Sequence, residues 1–216
     1  MKKKRILAMI LAVASCLSLA VSASAASTAR KATDFRDFDR TAWYADAVSA
    51  AVDKGLLYGK SATVIDPNGD MTRAEMAAII NRSFGCYAKA DISKYKDVSK
   101  DKWYFEDVAM AVQMGTYNGR SNSSMAPDAP ITRQEAMTVV ARALELDYDS
   151  YSKAELTQFS DAGKVSNWAM PYIRAMVGAD YIHGRGKVLA PQDNITRAEF
   201  AQIFYNIIGT YIVSKG

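Results

Sequence analysis

The stretch Met71-Thr72-Arg73-Ala74-Glu75 decides how this chain is read, because it returns as Ile131-Thr132-Arg133-Gln134-Glu135 and as Ile195-Thr196-Arg197-Ala198-Glu199. Each copy opens an apolar run at helical spacing: Met76, Ala77, Ile79 and Ile80, then Ala136, Met137, Val139 and Val140, then Phe200, Ala201, Ile203 and Phe204. Thr-x-x-Glu ahead of such a run is a capping box. The Thr hydroxyl accepts from the N–H three residues on, and the Glu carboxylate reaches back to the Thr N–H. The apolar residue before each Thr can staple onto the residue after the Glu.

Capping does not call for the arginine. It falls at the first helical position, where unpaired N–H groups and the helix dipole are already positive. Three arginines at one offset therefore predict a positive cup for an anion, since helix N-termini bind carboxylate or phosphate and Arg adds a two-pronged fork. The candidates are Arg73, Arg133 and Arg197.

Working outward, the whole chain repeats every 60 to 65 residues. The three tryptophans are Trp43, Trp103 and Trp168, and 16 residues after each comes Gly59, Gly119 or Gly184. Pro67, Pro127 and Pro191 follow, each five residues before the Thr of a capping box. Ahead of each Trp stands an aromatic-x-Asp: Phe35-Arg36-Asp37, Tyr95-Lys96-Asp97 and Phe159-Ser160-Asp161. Each unit reads as helix, loop, helix. The first helix follows the Trp and carries Asp46, Glu106 or Pro171 in its first turn, all favoured there. It ends at Gly55 and Gly115, with the costlier Asp180 in the third unit. The second helix runs from the box to about Phe84, Leu144 and Ile208. Such a unit cannot bury its apolar faces alone, so the three must pack together, as a short solenoid or as a closed three-fold arrangement.

The chain opens with Met1-Lys2-Lys3-Lys4-Arg5, an apolar stretch from Ile6 to Val21, and Ser22-Ala23-Ser24-Ala25. That is the pattern of a secretory signal peptide over residues 1–25. A rival reading takes Val13-Ala14-Ser15-Cys16 as a lipoprotein box, with a lipid anchor on Cys16. Residues 26–34 lack periodicity and read as a flexible lead-in. The chain has 27 Lys and Arg against 23 Asp and Glu, and the leader holds four of the bases and none of the acids. Without it the charges balance, which argues against a nucleic-acid partner. Cys86 would then be the one cysteine left, so no internal disulfide is expected.

Other repeated residues are weighed against structural roles. Trp43, Trp103 and Trp168 sit beside an apolar face and are expected mainly to pack in the core, with stacking on a sugar ring as the alternative. Asp37, Asp97 and Asp161 are expected to fix turns, or else to bond sugar hydroxyls. Each loop glycine carries a base after it (Lys60, Arg120 and Arg185), suited to an acidic polymer or simply solvated. Asp66-x-Asn68-x-Asp70 starts like a calcium loop but has Met71 and Ala77 where glycine and glutamate are required, so no metal is expected. His183 is the only histidine. A nucleophile–base pair is therefore improbable, and neither catalytic residues nor a cofactor are expected.

The ordered set of aromatic-x-Asp, Trp, helix, glycine loop, Pro and Thr-Arg-x-Glu resembles the S-layer homology domain, a wall-anchoring module of bacterial surface proteins. The resemblance covers residues 35 to 209 and divides them into modules at 35–86, 95–146 and 159–210. It implies a mostly α fold with three helix-loop-helix repeats packed as a pseudo-three-fold helical bundle. It also implies grooves between modules that hold a secondary cell-wall polysaccharide, often pyruvylated on N-acetylmannosamine, with the Arg of Thr-Arg-x-Glu in binding. The third module departs from the pattern: it has one extra residue between Asp161 and Trp168 and one fewer between Gly184 and Pro191.

The sequence therefore points to a non-catalytic, secreted module at the cell surface that binds an acidic wall polysaccharide. The alternatives are peptidoglycan binding, or docking to a surface-layer protein through tyrosine-rich segments 87–104 and 148–151. If the three arginines grip the ligand, replacing Arg73 and Arg133 by Ala weakens wall binding and leaves melting unchanged. If they are buried in ion pairs with no cavity beside them, the reading fails.

Overall fold

The computed structural model describes residues 30–213, with side chains through 208. The expected signal peptide and Cys16 lie outside the described residues. Six α-helices carry the fold: α1 Ala45–Asp53, α2 Arg73–Phe84, α3 Phe105–Gln113, α4 Arg133–Ala143, α5 Met170–Gly178 and α6 Arg197–Val213. Among the described residues there are isolated β-bridges but no strands.

Local chemistry sets the helix ends as the sequence predicts. Thr72, Thr132 and Thr196 each accept from the N–H of the Glu three residues on, and each Glu carboxylate accepts from the Thr N–H. After α1 and α3 the chain turns through Gly55 (φ 65°) and Gly115 (φ 71°). Asp180 takes the same left-handed pose after α5 (φ 61°), at a cost of about 1–2 kcal/mol that glycine avoids. Helix α6 runs to Val213, past the expected end near Ile208.

The segment expected as a flexible lead-in is ordered where it is described. Ala32–Asp34 form a 3-10 turn, Ala32 is buried, and the Arg30 guanidinium donates to Ala62 O at 2.6 Å. The irregularities of the third module are absorbed locally. The extra residue goes into a 3-10 turn at Ala162–Lys164, and the shorter loop closes through a bridge between Arg185 and Val188, with Gly186 at φ 64°.

The closed three-fold arrangement is the one adopted. Met71 N–H donates to Ile195 O, Ile195 N–H to Ile131 O, and Ile131 N–H to Met71 O, each at 3.0 Å. These three fully buried residues, one per capping motif, tie the modules in a ring around a pseudo-three-fold axis. The closest helix pairs repeat the cycle: α2 against α3, α4 against α5, and α6 against α1. In every case the partner belongs to the next module. Ile80, Met137, Ile173 and Phe200 are all buried in the one core that the modules share, at about 1.5–3 kcal/mol per side chain.

Candidate functional site: a groove between modules

The same ring fills the helix mouths. The N–H of Arg73 donates to Ala129 O (3.0 Å), that of Arg133 to Asp193 O (2.8 Å), and that of Arg197 to Gly69 O (3.0 Å). The next N–H in each helix donates to Pro127, Pro191 or Pro67 O, and the third is taken by the capping Thr. The anion cup expected at each helix start is therefore occupied by carbonyls of the following module.

The arginine side chains are inter-module pins. Arg73, Arg133 and Arg197 are at most 5% exposed. Each sends Nε to one carbonyl of the next module: Met125 O (2.8 Å), Leu189 O (2.8 Å) and Ile65 O (2.9 Å). The N–H of that same peptide group donates to the aspartate of the aromatic-x-Asp motif: Ala126 to Asp97 (2.7 Å), Ala190 to Asp161 (2.8 Å) and Asp66 to Asp37 (2.7 Å). One peptide is thus polarised between a guanidinium and a carboxylate in every module. That peptide leads into a left-handed residue (φ 53° at Asp66, 52° at Ala126, 49° at Ala190), a pose that non-glycine residues take only when held. The aspartates brace a loop 28 or 29 residues away rather than turns of their own backbone. Burial pushes the carboxyls of Asp37 and Asp97 up, but the N–H bonds outweigh it and hold both below the ordinary range.

Each capping glutamate meets two cations. Glu75 lies between Lys60 (2.6 Å) and Arg197 (3.2 Å), and Glu199 between Arg185 (2.5 Å) and Arg133 (3.0 Å). Glu135 is held more loosely, 3.4 Å from Arg120 and 3.6 Å from Arg73. Burial raises the carboxyls of Glu75 and Glu199. The bonds from Lys60 or Arg185, the Thr N–H and the buried arginine more than reverse this. The loop bases are thus partners of the helix caps rather than free charges.

Beside the loosest of these triads a cavity of about 510 Å³ opens to the surface. Arg73 of the first module, Arg120, Glu135 and Arg142 of the second, and Trp168 of the third all line it. The Arg142 guanidinium stands 4.8 Å over the Tyr172 ring of α5, and Arg73 stands 5.1 Å over that of Tyr117. Three guanidiniums against one carboxylate, with an indole at the rim, can receive an anionic group on a ring-shaped ligand.

Of the twelve candidate residues, three (Arg73, Arg120 and Trp168) share this cavity. Arg197 and Lys60 meet at Glu75, and Arg133 and Arg185 at Glu199. The tryptophans are not core residues: Trp43, Trp103 and Trp168 are 63%, 61% and 51% exposed. The core positions at the helix entries go to the neighbours Tyr44, Tyr104 and Ala169. The loop glycines leave room for an aromatic of their own module rather than for a ligand. A Cβ at Gly59 would stand 2.4 Å from the Phe35 ring, and one at Gly119 2.5 Å from that of Tyr95. The tyrosine-rich docking surface is largely absent as a surface, since Tyr95 and Tyr104 are buried and Tyr148 packs on Tyr172; Tyr87 is exposed.

Sequence reasoning passed over Arg142. Its signal was present, because Arg82 and Arg142 both stand ten residues past the capping Thr, whereas the third module has Asn206 there.

Comparison with known proteins agrees with this architecture. The S-layer homology domain family matches residues 34–77, 94–137 and 158–201, together more than half the chain. The Surface-layer 125 kDa protein of Lysinibacillus sphaericus is 33% identical over 200 residues, 90% of this chain and 17% of that protein. Exoglucanase XynX of Acetivibrio thermocellus is 28% identical over 83% of this chain and 16% of its own length. The S-layer protein sap of Bacillus anthracis is 25% identical over 78% of this chain and 20% of its own. The chain thus spans about a fifth or less of each of these relatives. No described helix is long and apolar enough to cross a membrane.

Proposed function

The chain belongs to the S-layer homology domain family, whose modules anchor surface proteins to the cell wall, and on that premise we propose that it binds an acidic secondary cell-wall polysaccharide in the groove between its modules. The observation that carries this reading is the cavity in which Arg73, Arg120 and Arg142 face the single carboxylate of Glu135 beside Trp168. The excess of guanidinium selects a carboxylate-bearing sugar, such as a pyruvylated N-acetylmannosamine. The exposed indole offers the apolar face of a pyranose a flat partner. The role is non-catalytic and lies at the cell surface. Because all three modules line the cavity, the ring must be closed before the ligand is recognised.

Wall sacculi, native and acid-extracted to remove the polysaccharide, test the reading by co-sedimentation with the purified chain. Retention on native walls and release from extracted ones is expected. Equal retention on extracted walls refutes the polysaccharide as ligand and leaves peptidoglycan or a protein partner.

A further inference from the structure

The three grooves are pseudo-equivalent in sequence but unequal in charge and in what holds their arginines, and we infer that only the groove of the second module takes the acidic ligand, with Arg142 receiving its acid group. This rests on the acidic-glycan reading above and adds which groove and which residue.

Arg73 is a poor recipient. Its Nε and Nη2 already donate to Met125 O (2.8 Å) and Asn118 O (3.0 Å), and it is 5% exposed. Arg142 is only half-buried, lines the open cavity, and is oriented by the Tyr172 ring beneath it.

The other grooves have lost one requirement or the other. In the first module the residue before the loop glycine is Tyr58 where the second has Asn118. The Tyr58 ring lies 4.2 Å from the Arg82 guanidinium, and Arg82 Nη1 donates to Leu56 O at 3.1 Å. The group corresponding to Arg142 is thus tied to a backbone carbonyl, and the ring against it belongs to the groove's own loop, whereas Tyr172 belongs to the neighbouring module. The charge of Asp66 also acts on Arg197 there, where the second module has Ala126.

In the third module Asn206 replaces the arginine, and its amide donates to Tyr181 O. Asp193 stands where the second module has Ala129. Arg185 is closed onto Glu199 through Nε and Nη2 (2.5 and 3.1 Å) and onto Asp193 through Nη1 (2.8 Å). Two cations, Arg133 and Arg185, there face two carboxylates, so no excess charge is left for a ligand. The second cavity is lined by three cations and one carboxylate, and Glu145, Asp147 and Asp149 stand with Arg142 around a separate pocket beside it.

The methyl glycoside of pyruvylated N-acetylmannosamine, titrated calorimetrically into the purified full chain, tests this. One site per chain is expected. Arg142→Gln should lower the affinity at least about tenfold, as losing a charge-assisted fork does, and Arg142→Lys should fall between, keeping charge without the fork. Tyr58→Asn, which uncovers Arg82, should add a second, weaker site. Circular dichroism melts establish that each variant is folded, and Trp168 emission, isolated in a Trp43→Phe, Trp103→Phe background, reports occupancy of the second groove independently. Two or three sites in the native chain, or unchanged affinity in folded Arg142→Gln, overturns the inference and leaves the acidic-glycan reading standing. No binding to the native chain overturns both.

Discussion

Replacing Arg133 by Met separates the two roles that an arginine in Thr-Arg-x-Glu can play. Methionine keeps most of the side-chain volume and loses the charge and every hydrogen bond. Arg133 is 5% exposed, donates to Leu189 O at 2.8 Å and pairs with Glu199 at 3.0 Å. Removing it leaves a buried carbonyl unpaired, which costs about 1–3 kcal/mol. Breaking a buried ion pair costs about 3–5 kcal/mol when the remaining charge is stranded. Here Glu199 keeps Arg185 and the Thr196 N–H, and burial already disfavours the Arg133 cation, lowering its pKa, so the lower end applies. The expected loss is about 3 kcal/mol, or about 6–12 °C in melting temperature for a domain of this size. Urea unfolding followed by tryptophan emission and far-ultraviolet circular dichroism measures it, with wall co-sedimentation of the still-folded variant alongside. Since Arg133 serves the third groove, binding per folded molecule should hold. A stability change below about 1 kcal/mol together with lost wall binding would refute the pin and restore Arg133 as a ligand grip. The same logic reverses the sequence-based expectation that Arg73→Ala with Arg133→Ala spares folding.

Other perturbations test neighbouring parts of the argument. Trp168→Ala should leave stability within about 0.5 kcal/mol, since the ring is half exposed, and should reduce retention on native walls; a large drop in melting temperature with full retention would contradict its place at the groove rim. Ala126→Gly relieves a left-handed alanine at about 1–2 kcal/mol and adds about 0.5–1 kcal/mol of backbone entropy cost, so a gain of about 0.5 kcal/mol is expected in urea midpoint measurements. A loss there would mean that the pose carries no strain. Asp37, Asp97, Glu75 and Glu199 all have folded pKa values below their ordinary 3.8 or 4.5. The unfolded chain then takes up protons first as pH falls, so stability is complete above that range and declines through it toward the lower folded values. Melting temperatures should be steady from about pH 7 to 5 and fall below about pH 4.5; a constant or rising value on acidification would show that these carboxylates are not engaged.

The sequence by itself determined the local events and the repeat. Thr-x-x-Glu closes a capping box within four residues, and Gly55 and Gly115 end helices at their own backbone, so six helices and their starts were legible. The threefold spacing of Trp, Gly, Pro and Thr identified the family and the need for the units to pack together. Only the tertiary structure decided what those residues face. Arg73, Arg133 and Arg197 looked like three free cations at helix mouths because their partners, the carbonyls of Met125, Leu189 and Ile65, lie more than 50 residues away in another module. Backbone carbonyls leave no mark in a one-letter sequence. The tryptophans were misplaced because an apolar residue beside an apolar helix face reads as core, whereas the buried places go to the neighbouring Tyr44 and Tyr104 and the indoles are exposed. Arg142 became conspicuous only when Arg73 and Trp168 converged on it from the two neighbouring modules. Sequence patterns record what a residue does within a turn or two of its own chain; a groove made by three modules exists only once the ring has closed.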